Sequence, residues 1–278
     1  MSYILHEKAR QYYWEGQESL SIKTFFSGRA VYRLGRGYYA VDDASYLIVN
    51  HAQPYSICIE SNAAVESFCL FFEPGFAEEV QRSIGTRTEI LLDEPAGVDA
   101  RPLHFFDRTY RHDDLLSPLL FHLRANLNNK KHEALWLEER FHLVMERLLQ
   151  LHHNIDEEIG SIPALRATTR RELYQRLYRA KEYATALFDT PLTLAELAAV
   201  ASLSPNHFLR MFKQFFHQTP HQYIISHRLE RAQYLLRHTD QTVTEICFAL
   251  GFESPGSFSW LFHRQIGSSP SAYRSAKK

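Results

Sequence analysis

The sequence predicts an α+β chain of two domains, an N-terminal β-barrel with trailing helices and a C-terminal all-α domain made of two similar helical units. Three observations lead there. Residues 1 to about 112 break into short runs rich in aromatic and β-branched residues. From Leu115 the apolar period becomes helical. Near the C-terminus two stretches, Leu192–Ile224 and Thr242–Arg274, are versions of each other.

The candidate strands are Leu20–Phe26, Ala30–Leu34, Tyr38–Val41, Ser45–Asn50, Tyr55–Glu60 and Glu66–Phe72. Turn signals such as Ser27-Gly28, Gly35-Arg36-Gly37 and Asp42-Asp43 separate them. Strands at near-regular spacing suggest a small barrel or double-sheet jelly roll, with a short helix around Phe76–Ile84. Arg33, Tyr39, Tyr46 and His51 are the polar groups such a barrel could turn toward a small molecule, although at strand ends these residue types are more often only solvated. A metal site is not expected. His51 stands alone, His104 and His112 are distant in sequence, and His152-His153 falls on a helix, so ligand types do not cluster at ligand spacing. No nucleophile elbow or phosphate loop occurs, so neither a cofactor nor an enzymatic activity is expected.

Two helices follow, Leu115–Leu127 and His132–His153. Along the second, Leu137, Phe141, Val144, Leu148, Leu151 and Ile155 step by four and three residues. Such an a/d stripe suits a homodimer interface of coiled-coil type, and it equally suits packing against the barrel of the same chain. The first domain is thus expected over 1–160, with dimerisation helices in 115–155. Asp156–Thr168 reads as a linker, and the second domain spans 166–278.

Thr169 and Glu172 form a capping box expected to open a helix that runs to Phe188. The two similar stretches come next. Leu194, Glu196 and Leu197 match Val243, Glu245 and Ile246, and Phe208, Phe212, Pro220 and Tyr223 match Phe258, Phe262, Pro270 and Tyr273. Thr193 to Glu196 and Thr242 to Glu245 each fit a capping box opening a short helix. A tight turn holding Ser202 or Gly251 follows. Ser204-Pro205 and Ser254-Pro255 then start a second helix, serine as N-cap and proline where its missing N–H costs nothing. Helix, tight turn, helix is the helix-turn-helix motif, whose second helix enters a DNA major groove.

The pair of motifs, joined by the helix after Pro220, resembles the DNA-binding domain of the AraC/XylS family of bacterial transcription regulators. The resemblance rests on R-L-x-x-A-x-x-L-L from Arg228 to Leu236, the G-F turn at Gly251 and Phe252, and the closing S-P-x-x-Y-R from Ser269 to Arg274. Cys247 stands where the second unit usually has alanine, Ser202 replaces a turn glycine, and His217 stands where Gly267 ends the corresponding helix. The strand pattern of the first domain is similar, by order and spacing, to the cupin-like sensor domain of many members. The resemblance implies a homodimer, a small-molecule effector, double-stranded promoter DNA as partner, and RNA polymerase as a further partner of an activator.

Charge agrees with this division. From Arg166 onward there are 15 basic residues against 8 acidic, whereas the preceding residues carry 16 against 24. A basic half suits phosphates. The sequence lacks a twenty-residue apolar run and a leader-like N-terminus, and its three cysteines lack metal spacing. A cytoplasmic protein that does not enter the membrane is therefore expected.

On the helix opened by Ser204, the phenylalanines belong to the core, which leaves Asn206, Leu209, Arg210 and Lys213 on one outward strip. Arg210 suits a guanine edge, Asn206 an adenine and Leu209 a thymine methyl, with Ser204, His207 and Lys213 toward phosphate. The second copy offers Trp260, with Ser257, Ser259 and Arg264 toward the backbone, so discrimination is expected mainly from the first half-site. Two other readings remain: a cupin-type metalloenzyme fused to a DNA-targeting domain, and a DNA-repair protein with a reactive cysteine.

Overall fold

In the computed structural model, residues 1–85, 103–127, 134–160 and 167–276 are described, and they form two compact units, Met1–Gln175 and Arg176–Lys278.

The first unit is a nearly closed antiparallel barrel. Its strands are β1 (Tyr3–Gly16), β2 (Ser21–Phe26), β3 (Ala30–Leu34), β4 (Gly37–Val41), β5 (Ser45–Val49), β6 (Tyr55–Phe71) and β7 (Thr109–Arg111), in the order β4-β3-β6-β2-β5-β7, with β1 on the other edge of β6. β6 organises the sheet. Its first part pairs with β3 (Val31↔Cys58 to Leu34↔Tyr55), its last part with β2 (Ser21↔Phe71 to Phe26↔Glu66), and β1 covers both on the opposite side. Ala9 pairs with Val65 but Gln11 with Glu60, so one residue of β1 faces four of β6. Such a bulge bends a strand, and here it lets one strand serve both ends of the curling sheet. The candidate strands Tyr55–Glu60 and Glu66–Phe72 are therefore one element, because Ser61-Asn62 forms the bulge and not a turn.

Alternation decides the two faces. Phe25, Tyr32, Leu34, Tyr39, Val41, Leu47, Val49, Tyr55, Ile57 and Ile59 form one buried cluster with Trp14 packed against it. Each such side chain contributes about 1.5–3 kcal/mol of burial. The opposite face carries Tyr46 and Phe68 and is covered by helices. These are α1 (Phe76–Gly85), α2 (Ser117–Asn126) and α3 (Ala134–Gly160). Phe72 meets Phe76 of α1 at 5.8 Å and Phe141 of α3 edge-on at 5.4 Å. Phe141, Val144 and Leu148 are fully buried in their own chain, while Leu137 and Leu151 are half-buried. The middle of the a/d stripe is thus spent on intrachain packing.

α3 continues through Gly160 and α4 begins at Ala167, so Asp156–Gly160 is helix and not linker, while 161–166 lie outside the described residues. α4 (Ala167–Ala186) already includes Thr169 in its first turn, so Thr169 is not the N-cap. The division between units falls inside this helix, at Gln175, later than the expected 160–166.

The second unit holds the later part of α4, then α5 (Leu194–Val200), α6 (Pro205–Phe216), α7 (Pro220–His238), α8 (Val243–Ala249), α9 (Pro255–Ile266) and α10 (Pro270–Ser275). Among the described residues no helix is long and apolar enough to cross a membrane.

Candidate nucleic-acid interface

The duplication read in the sequence extends to individual hydrogen bonds. After α5, Leu203 N donates to Ala198 O at 2.9 Å and Ser202 N to Ala199 O at 2.9 Å. After α8, Phe252 N donates to Cys247 O at 3.1 Å and Gly251 N to Phe248 O at 3.0 Å. This pairing ends a helix through one left-handed residue, and both copies have it, with Ser202 at φ 53° and Gly251 at φ 74°. Glycine is needed only in the second copy. A Cβ on Gly251 would lie 2.4 Å from Asp189 O and 2.9 Å from Arg228 Nη2. The following apolar residue, Leu203 or Phe252, is then drawn back toward the unit's interior.

Caps differ between the copies. Thr242 accepts from Glu245 N at 3.1 Å, and the Glu245 carboxylate accepts from Thr242 N at 2.6 Å, so the box is complete and holds that carboxyl below its ordinary pKa. In the first copy Thr193 accepts from Glu196 N at 3.1 Å, but the Glu196 carboxylate accepts from Tyr183 at 2.8 Å. That box is half-formed because a tyrosine of α4 competes for the acid. Ser254 caps α9 by accepting from Ser257 N at 3.2 Å, whereas Ser204 opens α6 without a side-chain cap bond. An unforeseen third box, Thr219 with Gln222, opens α7.

Packing repeats as well. Phe208 and Phe212 meet at 5.4 Å, as do Phe258 and Phe262 at 5.8 Å; Phe212 meets Tyr223 at 6.0 Å, as Phe262 meets Tyr273 at 5.5 Å. All four phenylalanines are buried. With that face fixed, helical geometry turns the other outward. Asn206, His207, Arg210, Lys213 and Ser204 are exposed on α6, and Leu209 is half-buried beside them. On α9 Trp260 is 59% exposed, and the Arg264 guanidinium sits over its ring at 5.1 Å. Ser259 is half-buried, and Ser257 donates to Ser254 O at 3.0 Å, which commits its hydroxyl to the cap. α6 therefore presents two cations and an amide, and α9 presents an indole with one guanidinium.

One buried cation holds the second copy against its neighbours. Arg228 donates to Phe188 O at 2.6 Å, Thr190 O at 3.0 Å and Gly251 O at 2.6 Å, clamping the end of α4 to the turn between α8 and α9. Burial pushes its pKa down, and Asp189 opposes that effect. The motif R-L-x-x-A carried this residue, but its role as a clamp was not legible there.

In the barrel unit the candidate polar groups divide. Tyr39 is buried in the interior cluster. Tyr46 instead faces the helical layer, donating to Asp113 at 3.1 Å and stacking on Tyr110 at 5.3 Å. His51 and Arg33 are exposed, Arg33 lying over Tyr38 at 5.0 Å. A further interior polar group is one the sequence reading missed: Lys23 donates to Glu18 and to Tyr55 Oη, each at 3.1 Å, lies over Phe71 at 3.8 Å, and Tyr55 in turn donates to Glu18. Its signal was a lysine at an inward position of the apolar run SIKTFF. Of the cysteines, Cys69 and Cys247 are buried and Cys58 is half-buried, and burial raises all three thiol pKa values. A thiol so shifted is a poor nucleophile.

A family model described as a helix-turn-helix domain matches residues 197–276. The HTH-type transcriptional activator RhaS of Klebsiella pneumoniae is 42% identical over 90 residues, which are 32% of this chain and 32% of that protein. The probable transcriptional regulator LumQ of Photobacterium leiognathi is 36% identical over 83 residues, 30% of this chain and 34% of that protein. The chain thus spans about a third of the length of these curated relatives. Among solved structures, the DNA-binding domain of the transcriptional factor AdpA in complex with a target DNA is 36% identical, covering 36% of this chain and 91% of that domain, with a TM-score of 0.35.

Proposed function

We propose, for a chain that belongs through its C-terminal unit to the AraC/XylS family of transcription regulators, that the whole protein is a one-component regulator of promoter DNA. One observation carries the reading. Two helices at one repeat spacing bury their phenylalanines and expose, on the opposite face, groups suited to base edges and phosphates. Arg210 takes a guanine edge in the major groove, Asn206 an adenine, and Leu209 the methyl of a thymine. Ser204, His207, Lys213 and Arg264 take phosphates, and Trp260 packs on sugar or methyl groups. The hydroxyls of Ser257 and Ser259 are secondary, since one is held in a cap and the other half-buried.

The barrel unit senses a small molecule, and the protein acts as a homodimer in the cytoplasm, recruiting RNA polymerase where it activates. With the centre of the α3 stripe buried, dimer contacts draw on its rim at Leu137 and Leu151 and on Leu135, which is 72% exposed. The effector favours one arrangement of the chain through contacts it makes only there. The test is selection of fragmented genomic DNA by the full chain at physiological salt, beside Arg210→Ala. Salt is fixed because phosphate binding alone mimics specificity. Enrichment of a few promoters, lost in the variant, is expected; uniform recovery by both proteins contradicts the reading.

A further inference from the structure

The barrel interior is poorly suited to an effector. Phe25, Tyr32, Tyr39, Tyr55 and their neighbours pack against one another there, and the buried cation Lys23 already has a carboxylate, a phenol and a ring as partners. Elsewhere in the same unit lies a cavity of about 410 Å³. It lies among Gln81 of α1, Leu103, His104 and Phe106 before β7, His152 and Asp156 of α3, and Arg171 and Gln175 at the start of α4. Its lining is mostly polar, with Leu103 and Phe106 as the apolar part, so it suits a small polar molecule held by charge and hydrogen bonds.

Its polar groups are unevenly satisfied. Arg171 Nη2 lies 3.3 Å from Asp156 Oδ1, and the guanidinium covers the Phe106 ring at 4.9 Å. His152 turns Nε2 toward Asp156 Oδ2 at 3.7 Å and rests edge-on against Phe105 at 5.2 Å. Its Nδ1 is buried without a hydrogen-bond partner among the described residues. Burial lowers the imidazole pKa, with Asp156 opposing and Arg171 adding to the fall, which favours the neutral ring. A neutral imidazole with its N–H toward Asp156 leaves Nδ1 as a bare acceptor, and an unfilled buried acceptor is costly. The cavity therefore offers a cation for a carboxylate, an acidic edge for an N–H or O–H, and an aromatic wall, while His152 Nδ1 becomes an acceptor only when its ring turns toward the cavity.

Resting on the reading of the chain as an effector-controlled regulator, we propose that this cavity is the effector site and that it takes a small monocarboxylate bearing a hydroxyl or ammonium group. The carboxylate pairs with Arg171, and the hydroxyl or ammonium donates to Asp156 and, once the ring turns, to the His152 Nδ1 that the packing now closes off. Gln81 and Gln175 supply amides to the remaining polar atoms. A second carboxylate is disfavoured by Asp156. Such a molecule ties α3 to the first turns of α4, the helix whose later residues belong to the DNA-binding unit.

The experiment is a thermal-shift titration of the full chain with L-serine, L-glutamine, D-glycerate and D-gluconate, with propionate as the carboxylate that lacks a donor. At about tenfold above its Kd, at least one of the four is expected to raise the midpoint of the barrel unit by about 4 °C. Propionate is expected to do nothing. Arg171→Gln and His152→Phe should each abolish the shift, whereas Tyr39→Phe in the barrel interior should keep it. Arg171 is half-exposed, so its replacement leaves the fold intact and guards against a trivial loss through misfolding. The proposal is overturned if none of the four shifts the wild type, if propionate matches them, or if the shift survives in both pocket variants. Anisotropy with a selected promoter fragment, run on the same samples, separates the two readings. Selective binding lost in Arg210→Ala upholds the regulator whatever the probes do, and absence of selective binding removes the wider reading even where a probe binds.

Discussion

Replacing Arg228 by methionine keeps the apolar stem and removes the guanidinium. Three carbonyls lose their donor at once: Phe188 and Thr190 after α4, and Gly251 in the second turn. A hydrogen bond from a charged donor is worth about 1.5–3 kcal/mol, but the freed carbonyls regain water and the buried cation no longer has to be desolvated. The net loss is about 3 kcal/mol. For a unit of about one hundred residues that lowers its midpoint by roughly 15 °C. Circular dichroism of the full chain during guanidinium and thermal unfolding measures it, and only the transition of the helical unit should move. Arg228→Lys keeps the charge but offers a point donor in place of a fork, so it should lose about 2 kcal/mol. The turn at Gly251 should also loosen, weakening the DNA contacts proposed for α9 more than those proposed for α6. A methionine variant within about 0.5 kcal/mol of wild type would refute the clamp.

Further outcomes follow from other sites. Glu66 is held at a pKa of about 2, first by the Arg124 hydrogen bond, then by His6 and Lys8, with burial opposing. Its folded pKa lies below the ordinary value, so its contribution of about 3 kcal/mol is complete above pH 4.5 and disappears as pH falls toward 2. Unfolding free energy of wild type against Glu66→Gln, followed from pH 7 to pH 2, should converge at the acid end; a constant difference contradicts it. Gly251→Ala should destabilise by at least about 2 kcal/mol through positive φ and the Asp189 carbonyl, while Ser202→Gly should stabilise by about 1 kcal/mol, both read by chemical denaturation. At one salt concentration, Arg210→Ala should cost about 1–3 kcal/mol and relax base preference, whereas Arg264→Ala should weaken all sequences alike. Equal loss of discrimination from Trp260→Ala and Arg210→Ala would contradict a readout dominated by the first half-site.

The C-terminal unit was legible because its signals are local. Capping threonines, serine-proline starts and phenylalanines spaced by four fix helix ends and faces without reference to distant residues, and the duplication doubles the signal. What competed with those signals was tertiary, as where Tyr183 drew Glu196 away from its cap. The barrel was harder. β1 went unread because YILHEKARQYYWEG covers an edge, exposes many side chains and so lacks clean alternation. β6 was split because a bulge carries the same residues as a turn, Ser61 and Asn62. The α3 stripe was read correctly as apolar, yet periodicity cannot say whether the partner is another chain or the barrel beneath. Arg228 matters through carbonyls tens of residues away, and Lys23 and His152 also rest on rings at such distances, Phe71 and Phe105, which no local pattern encodes.

Hydroxyl-radical footprinting on a selected promoter fragment tests the central claim most directly. Two recognition helices in one unit predict two protected patches on one DNA face, about 34 Å or one helical turn apart. Arg210→Ala should fade one patch more than the other. A single patch, or two that Arg210→Ala leaves unchanged, would contradict a bipartite reader whose specificity sits on α6.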